Sequence, residues 1–297
     1  MAKQSQAGQP QKVRLPLMGA YSNRDSSSTK DQRFVNMFPE TRKVDQLENT
    51  KIFITKRPGL STYNSSGVTG EGRGMLWFNG AVWTVIGNTL YRITSSTTTA
   101  KQVLTTSTGY VGMISANSAS IGNYVFFCDG VKGYIIKSDD LVTAIVDADF
   151  PTPHIPTPTF IDGYIVLAKG SDVYTSVLDN PLSWVTDSYL TAEMFPDDIR
   201  ALARQNNQVV VLGHSSIEFF YDAANAAGSP LSRNDSTTIQ MGTAAPYAIY
   251  QNEQFCLYIS ASESGGRAGW LIKGFQPQKI TDEYIERLLD AESDMDD

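Results

Sequence analysis

The sequence predicts an all-β fold: a β-propeller-like array of about five recognisable four-stranded blades, its closure left open, with one short helix at the C-terminal end. Three observations predict it. Short apolar runs return at a nearly constant spacing along the 297 residues. Ser, Thr, Asn and Gly crowd between those runs while only 19% of residues are charged, a composition that suits strands joined by turns. Hydrophobic residues make up 41% of the chain, enough for a substantial core.

The elements follow in order. Residues 1–70 form a basic N-terminal arm and lead-in: residues 1–60 hold 11 Lys and Arg against 5 Asp and Glu, whereas residues 61–297 hold 13 against 26. A basic segment on an acidic body suits docking on an acidic partner surface or on phosphate; a solvated arm is the alternative. "TGEGRGM" (Thr69 to Met75) spaces its glycines like a nucleotide loop, but a phosphate cradle needs a following helix N-terminus. The next residues, "LWFNG", read as strand and turn.

Residues 71–280 carry the blades. Five similar lines start at 79, 122, 162, 206 and 252: "NGAVWTVIGNTLYRI", "GNYVFFCDGVKGYIIK", "DGYIVLAKGSDVYTS", "NNQVVVLGHSSIEFF" and "NEQFCLYIS". Their spacings are 43, 40, 44 and 46 residues, close to one propeller blade. Each line reads as a turn pair, a β-rich run, a second break and another short run, which is a hairpin. The fifth stretches its break to "SASESGGRAG", an exposed loop. A weaker strand precedes each hairpin: "GRGMLWF", "VGMISAN", "PTPTFI", "IRALARQ" and "APYAIYQ". Between the second and third lines, "FPTPHIPTPTF" (Phe150 to Phe160) must run extended, because each proline fixes its own φ and restrains its predecessor. It reads as a strap between blades, with an SH3-type ligand as the alternative.

Residues 281–297 change character. In "ITDEYIERLLDAESDMDD", Thr281 is placed to cap a helix, acids fill its first turn, and Tyr284, Ile285, Leu288 and Leu289 share a side. No closing strand follows.

The chemistry candidates resolve mostly to scaffold. His214, Ser215, Ser216 and Glu218 sit close together, but a nucleophile elbow needs Gly-x-Ser-x-Gly leading into a helix, and "IEFF" leads into a strand. Val209 and Val211 point to one face and Val210 and Leu212 to the other, so that strand is expected to be buried on both sides. His154 and His214 lie in different repeats without a partner at metal-ligand spacing. The acid pairs Asp139-Asp140 and Asp197-Asp198 fall in connecting segments. Catalytic, cofactor and metal residues are therefore all expected to be none, and the protein is expected not to be an enzyme. Cys128 and Cys256 sit in apolar runs, where a thiol behaves as a small hydrophobe. No apolar stretch has the length of a signal peptide or of a membrane span.

A family resemblance enters through particular stretches. "RFVNMFPE" (Arg33 to Glu40), "KRPGL" (Lys56 to Leu60), "NPLSW" (Asn180 to Trp184), "FPDDIRALARQNNQVVVLGHSSIEFFYD" (Phe195 to Asp222) and "GTAAPYAI" (Gly242 to Ile249) resemble the packaged-DNA stabilisation, or tail hub, proteins of short-tailed bacteriophages. That resemblance implies a structural role in the virion tail, assembled in the host cytoplasm. Six copies would form a ring below the portal and its adaptor, continue the DNA channel, carry the needle or plug or tailspike proteins, and retain and then release the genome. Double-stranded DNA would pass without sequence-specific binding. An acidic wall suits that passage, since the duplex carries one charge per ~1.7 Å of its axis. Arg14, Arg33, Arg42, Lys43, Lys56 and Arg57 are then expected to dock neighbouring tail proteins rather than to line the bore. A host-surface carbohydrate-binding or carbohydrate-active propeller is the competing function; it needs clustered carboxylates and exposed aromatics, with Trp77, Trp83, Trp184 and Trp270 as its candidates.

Overall fold

The computed structural model describes residues 37–43, 50–65, 67–192, 197–261 and 266–293. The chain forms two compact units, Met1–Ser61 and Thr62–Asp297. In the first, β1 (Met37–Lys43) and β2 (Thr50–Lys56) pair antiparallel, Met37 opposite Lys56 and Lys43 opposite Thr50. A hairpin thus stands inside the stretch read from the sequence as an arm.

The second unit contains five four-stranded antiparallel sheets, each made of four consecutive strands in meander order. Blade one holds β3 (Gly72–Phe78), β4 (Ala81–Ile86), β5 (Thr89–Ile93) and β6 (Thr98–Val103). Blade two holds β7 (Gly112–Ser118), β8 (Gly122–Cys128), β9 (Gly133–Lys137) and β10 (Val142–Ala144). Blade three holds β11 (Ile155–Ile161), β12 (Tyr164–Lys169), β13 (Asp172–Val177) and β14 (Asn180–Thr191). Blade four holds β15 (Ile199–Gln205), β16 (Gln208–Gly213), β17 (Ile217–Asp222) and β18 (Leu231–Arg233). Blade five holds β19 (Tyr250–Gln251), β20 (Cys256–Ala261), β21 (Arg267–Lys273) and β22 (Gln276–Lys279).

The turn pairs explain the hairpins locally. Asn79 and Gly80 have φ of 49° and 72°, and Asp162 and Gly163 have 44° and 93°. Two successive left-handed residues make the tight connection that matches strand twist, and Asn, Asp and Gly reach that region at low cost.

Among the described residues, four apolar clusters, each shared between consecutive blades, build the core. Trp83, Val85 and Leu90 meet Val125, Phe127, Tyr134 and Ile136; Tyr124, Phe126, Cys128 and Ile135 meet Ile165, Leu167 and Trp184. Val166, Ala168 and Val173 meet Val209, Val211 and Phe220, while Val210, Leu212 and Phe219 meet Cys256, Tyr258 and Ile272. The valine run therefore feeds two different interfaces by simple alternation, as its pattern predicted. Both cysteines are buried free thiols.

The two end blades differ. Met75 and Trp77 on β3 are 74% and 59% exposed, on the face of blade one turned away from blade two. The far face of blade five carries α1 (Glu283–Ala291). Arg267 fastens that helix: its backbone N–H donates to Asp290 Oδ1 at 2.7 Å and its Nη1 to Leu289 O at 3.0 Å. The N-cap is Asp282, whose side chain accepts from Ile285 N at 3.0 Å, and not Thr281. The Thr281 hydroxyl instead accepts from Gly269 N at 3.1 Å and donates to Glu286 Oε1 at 3.0 Å, tying strand to helix one residue before the cap.

Candidate functional site

The stretch with the most chemical look is the β16–β17 turn, Gly213 to Ser216. A carboxylate does face the two serines: Asp197, on the connection into β15. Its Oδ2 accepts from Ser215 N at 2.7 Å, Ser215 Oγ at 3.1 Å and Ser216 N at 3.1 Å, and its Oδ1 from Ser216 Oγ at 2.8 Å. Both hydroxyls thus give their protons directly to a carboxylate, with no imidazole between to take one. Gly213 is required here because a Cβ would run into the Asp197 carboxylate. The turn is in turn locked to blade five, since Thr243 N donates to Gly213 O and Thr243 Oγ1 to Ile259 O at 3.1 Å. Glu218, buried on β17, faces Arg233 Nη1 at 3.6 Å. The arrangement is a fastening.

Acids elsewhere do the same work. Asp129 accepts four backbone N–H bonds, from Thr105, Thr106, Val131 and Lys132 at 2.8–3.1 Å, tying blade two to the segment leading out of blade one. Asp140 of blade two meets Arg92 Nε of blade one at 2.8 Å and Asn79 Nδ2 at 3.2 Å. Asp147 accepts from Asp149 N and Trp184 N, and these bonds hold its carboxyl below the usual range. Arg73, inside the glycine-rich stretch, is 3% exposed. Its guanidinium donates to Gly109 O, Gly87 O, Thr106 O, Thr106 Oγ1 and Thr108 O, which uses all five of its donors. The "TGEGRGM" segment is thus a clamp on the crossover to blade two.

The proline-rich strap runs over blade two and enters blade three as β11. His154 is 6% exposed within it. Its Nδ1 lies 2.8 Å from Pro151 O, and its ring stands edge-on to Phe150 at 5.1 Å. The carbonyl can only accept, so Nδ1 carries the proton and the buried Nε2 has no partner among the described residues. Burial pushes the imidazole pKa down to about 4. Pro156, Pro158 and their neighbours belong to β11, and Thr157, Pro158 and Thr159 are buried, which removes the strap as a free peptide ligand.

The middle of the propeller is filled. The first strands of successive blades pack on one another, and a Cβ on Gly112 of β7 would collide with the Pro156 carbonyl of β11. Met113, Ile114, Thr157, Leu202 and Ile249 line a cavity of about 50 Å³ there. Beside it Tyr110 and Tyr247 stack at 4.7 Å with 19° between planes. Among the described residues, the first strands of blades two and three meet too closely for a duplex, whose major groove alone is ~12 Å wide, to run between them. Neither tyrosine was singled out from the sequence. Their shared place just ahead of a first strand, in "TGYVGM" and "APYAIYQ", is the one sequence signal that pairs them.

The six predicted docking residues divide. Arg14 and Arg33 lie outside the described residues. Arg42 and Lys43 end β1, Lys56 ends β2 and Arg57 follows it, the last two exposed. Six residue steps separate the two pairs, ~20 Å of strand, so they stand at opposite ends of the ladder. Lys51 stands opposite Arg42 in the register. Among the tryptophans, Trp83 and Trp184 are core, Trp270 packs against the last cluster and Trp77 alone is open. Among the described residues no group of three or more His, Cys, Asp or Glu is placed to hold a metal, and no helix is long and apolar enough to cross a membrane.

No curated protein sequence matches the chain. Solved structures do match. One is BBS1N, crystallised in complex with ARL6DN, at 11% identity and TM-score 0.47, over 78% of this chain and 73% of that one. A second is PorZ of Porphyromonas gingivalis, at 11% identity and TM-score 0.45, over 74% of this chain. A third is the Neurospora crassa Pan2 WD40 domain, at 8% and 0.43, over 70% and 65%. The chain spans only 29% of PorZ. The family described as the β-propeller of bacteriophage P22 Gp10, the phage stabilisation family, matches residues 13–296, and the chain belongs to it.

Proposed function

We propose that this protein is a wall subunit of a short-tailed phage tail. Six copies form a ring below the portal and adaptor, continue the DNA channel, and help to retain and then release the packaged genome. The observation that carries the reading is membership of the phage stabilisation family along nearly the whole chain. The filled blade axis supports a specific geometry for it: DNA runs between copies, along the outsides of their propellers, and not through any one of them. A turn whose serines are spent on Asp197 suits a part that performs no reaction.

Rigidity is what such a wall requires, because a duplex stiff over ~150 base pairs bears on the ring as a rod. The inter-blade acids supply it while keeping the body negative, and a negative wall does not hold phosphates. The two basic ends of the β1–β2 hairpin grip neighbouring tail proteins. Native mass spectrometry should show a six-fold species on its own or on a portal–adaptor complex. Replacing Arg42, Lys43, Lys56 and Arg57 together by Gln should lower the yield of that assembly severalfold; an unchanged yield removes the hairpin from the docking surface, and a protein that stays monomeric in the presence of portal and adaptor removes the ring.

A further inference from the structure

We infer that the cleft at the β15–β16 turn of blade four and the β21–β22 turn of blade five is a binding site for a neutral saccharide. The cleft has a volume of about 460 Å³, within the range of small-ligand sites. The Asn206–Asn207 turn lines it with Gln205 and Gln208 adjoining, four amide residues in succession. A carboxamide donates and accepts at once, which is the pairing that sugar hydroxyls ask for. Tyr221, 41% exposed, and Phe275 supply ring surface for the apolar C–H face of a pyranose. No lysine or arginine is among the lining residues, and the guanidinium that reaches this turn, Arg204, donates its Nε to Asn206 O at 3.0 Å, which leaves recognition to the uncharged amides and rings.

The cleft is held in shape before any ligand arrives. Asn206 takes the left-handed φ of 50° and donates its backbone N–H to Glu253 O at 2.8 Å, which pins the turn of blade four to blade five. Phe275 stands edge-on to Phe219 at 5.0 Å. Gln205, 3% exposed, donates its Nε2 to Gly274 O at 3.0 Å, yet its Oε1 has no partner among the described residues. That is an acceptor left over beneath a polar cleft, where buried amides are otherwise satisfied. Asp222 is the one carboxylate among the lining residues, and its Oδ1 already accepts from Ala224 N at 2.8 Å. Glycoside cleavage uses two carboxyl groups flanking the bond, so this site binds and does not hydrolyse.

The inference stands apart from the wall role, and its failure leaves the ring assay unaffected. Saturation-transfer NMR and calorimetry on the full chain, with neutral oligosaccharides of glucose, galactose and N-acetylglucosamine and a sulfated oligosaccharide for comparison, test it. At least one neutral oligosaccharide should bind at millimolar concentration, the sulfated one should not, and no reducing ends should be released. Tyr221→Ala and Asn207→Ala should each weaken binding roughly tenfold, about one stacking or bidentate contact, and Tyr221→Phe should retain it, all three at unchanged Tm. No binding by any neutral sugar, preference for the sulfated one, cleavage, or affinity indifferent to Tyr221→Ala and Asn207→Ala overturns the assignment.

Discussion

At the scale of single residues, the structure spends its unusual polar side chains on holding blades together. Asp197 saturates the Ser215–Ser216 turn, Asp129 takes four backbone N–H groups and Arg73 places all five donors. None of this was legible in the sequence, because each partner lies at an irregular separation and a carboxylate bonded to backbone leaves no mark on its partner's identity. His154 was legible only as a residue with no metal partner; its burial follows from the strap that carries it. That burial gives a sign to the pH dependence of stability. The folded pKa, about 4, lies below the ordinary imidazole value of 6.5, so between those two pH values the unfolded chain binds the proton that the folded one refuses. Stability is full above pH 6.5, falls as pH drops toward 4, and levels below it. The facing groups are the Pro151 carbonyl and Asp129, both of which favour the charged imidazole and are outweighed by burial. Urea denaturation between pH 7 and 4.5 should lose roughly 2–3 kcal/mol through this group, and His154→Asn should flatten that part of the profile.

At the scale of elements, the hairpins were readable and the first strands were not equally so. Turn pairs such as Asn79-Gly80 and Asp162-Gly163 announce themselves, since few residues tolerate their φ. β11 is harder: Pro156 and Pro158 argue against a strand, yet it pairs with β12, with a register shift between Ile155 and Thr159. The resolution is positional, because β11 is the edge strand of its sheet and its unpaired side needs no N–H. β14, twelve residues long with two register shifts, shows no alternation that a sequence reading could use. The close approach of β7 to β11 has its own test. Gly112→Ala puts a methyl group against backbone that belongs to a neighbouring blade, and that backbone cannot swing aside as a side chain would. A loss of about 1–3 kcal/mol is expected, the usual cost of overpacking, read as a shift of denaturation midpoint at constant slope. A midpoint unmoved by the methyl group would mean that the first strands are looser than their packing indicates.

At the scale of the whole molecule, the repeat period pointed to about five blades in order but left their exact count and closure open. The run "AVWTVI" of β4 is as apolar as "YVFFC" of β8, so composition cannot distinguish an end blade from a middle one. The burial patterns can. β8, β12 and β16 each carry a run of buried residues on both faces, whereas β4 and β20 alternate buried with half-buried side chains. Middle blades therefore contribute to two apolar clusters and end blades to one. In such a stack each blade is stabilised by its neighbours, so opening should begin at the ends. Native-state hydrogen exchange should find the amides of β8, β12 and β16 the slowest, opening with the global free energy, and those of β4 and β20 exchanging at least roughly tenfold faster, a difference of ~1.4 kcal/mol that one missing sheet-on-sheet contact easily supplies. On ring assembly, protection of β4 should rise if the exposed Met75 and Trp77 face is covered there and stay low if it is not. Equal protection of all five blades in the unassembled protein would contradict the picture of a linear stack with two weaker ends.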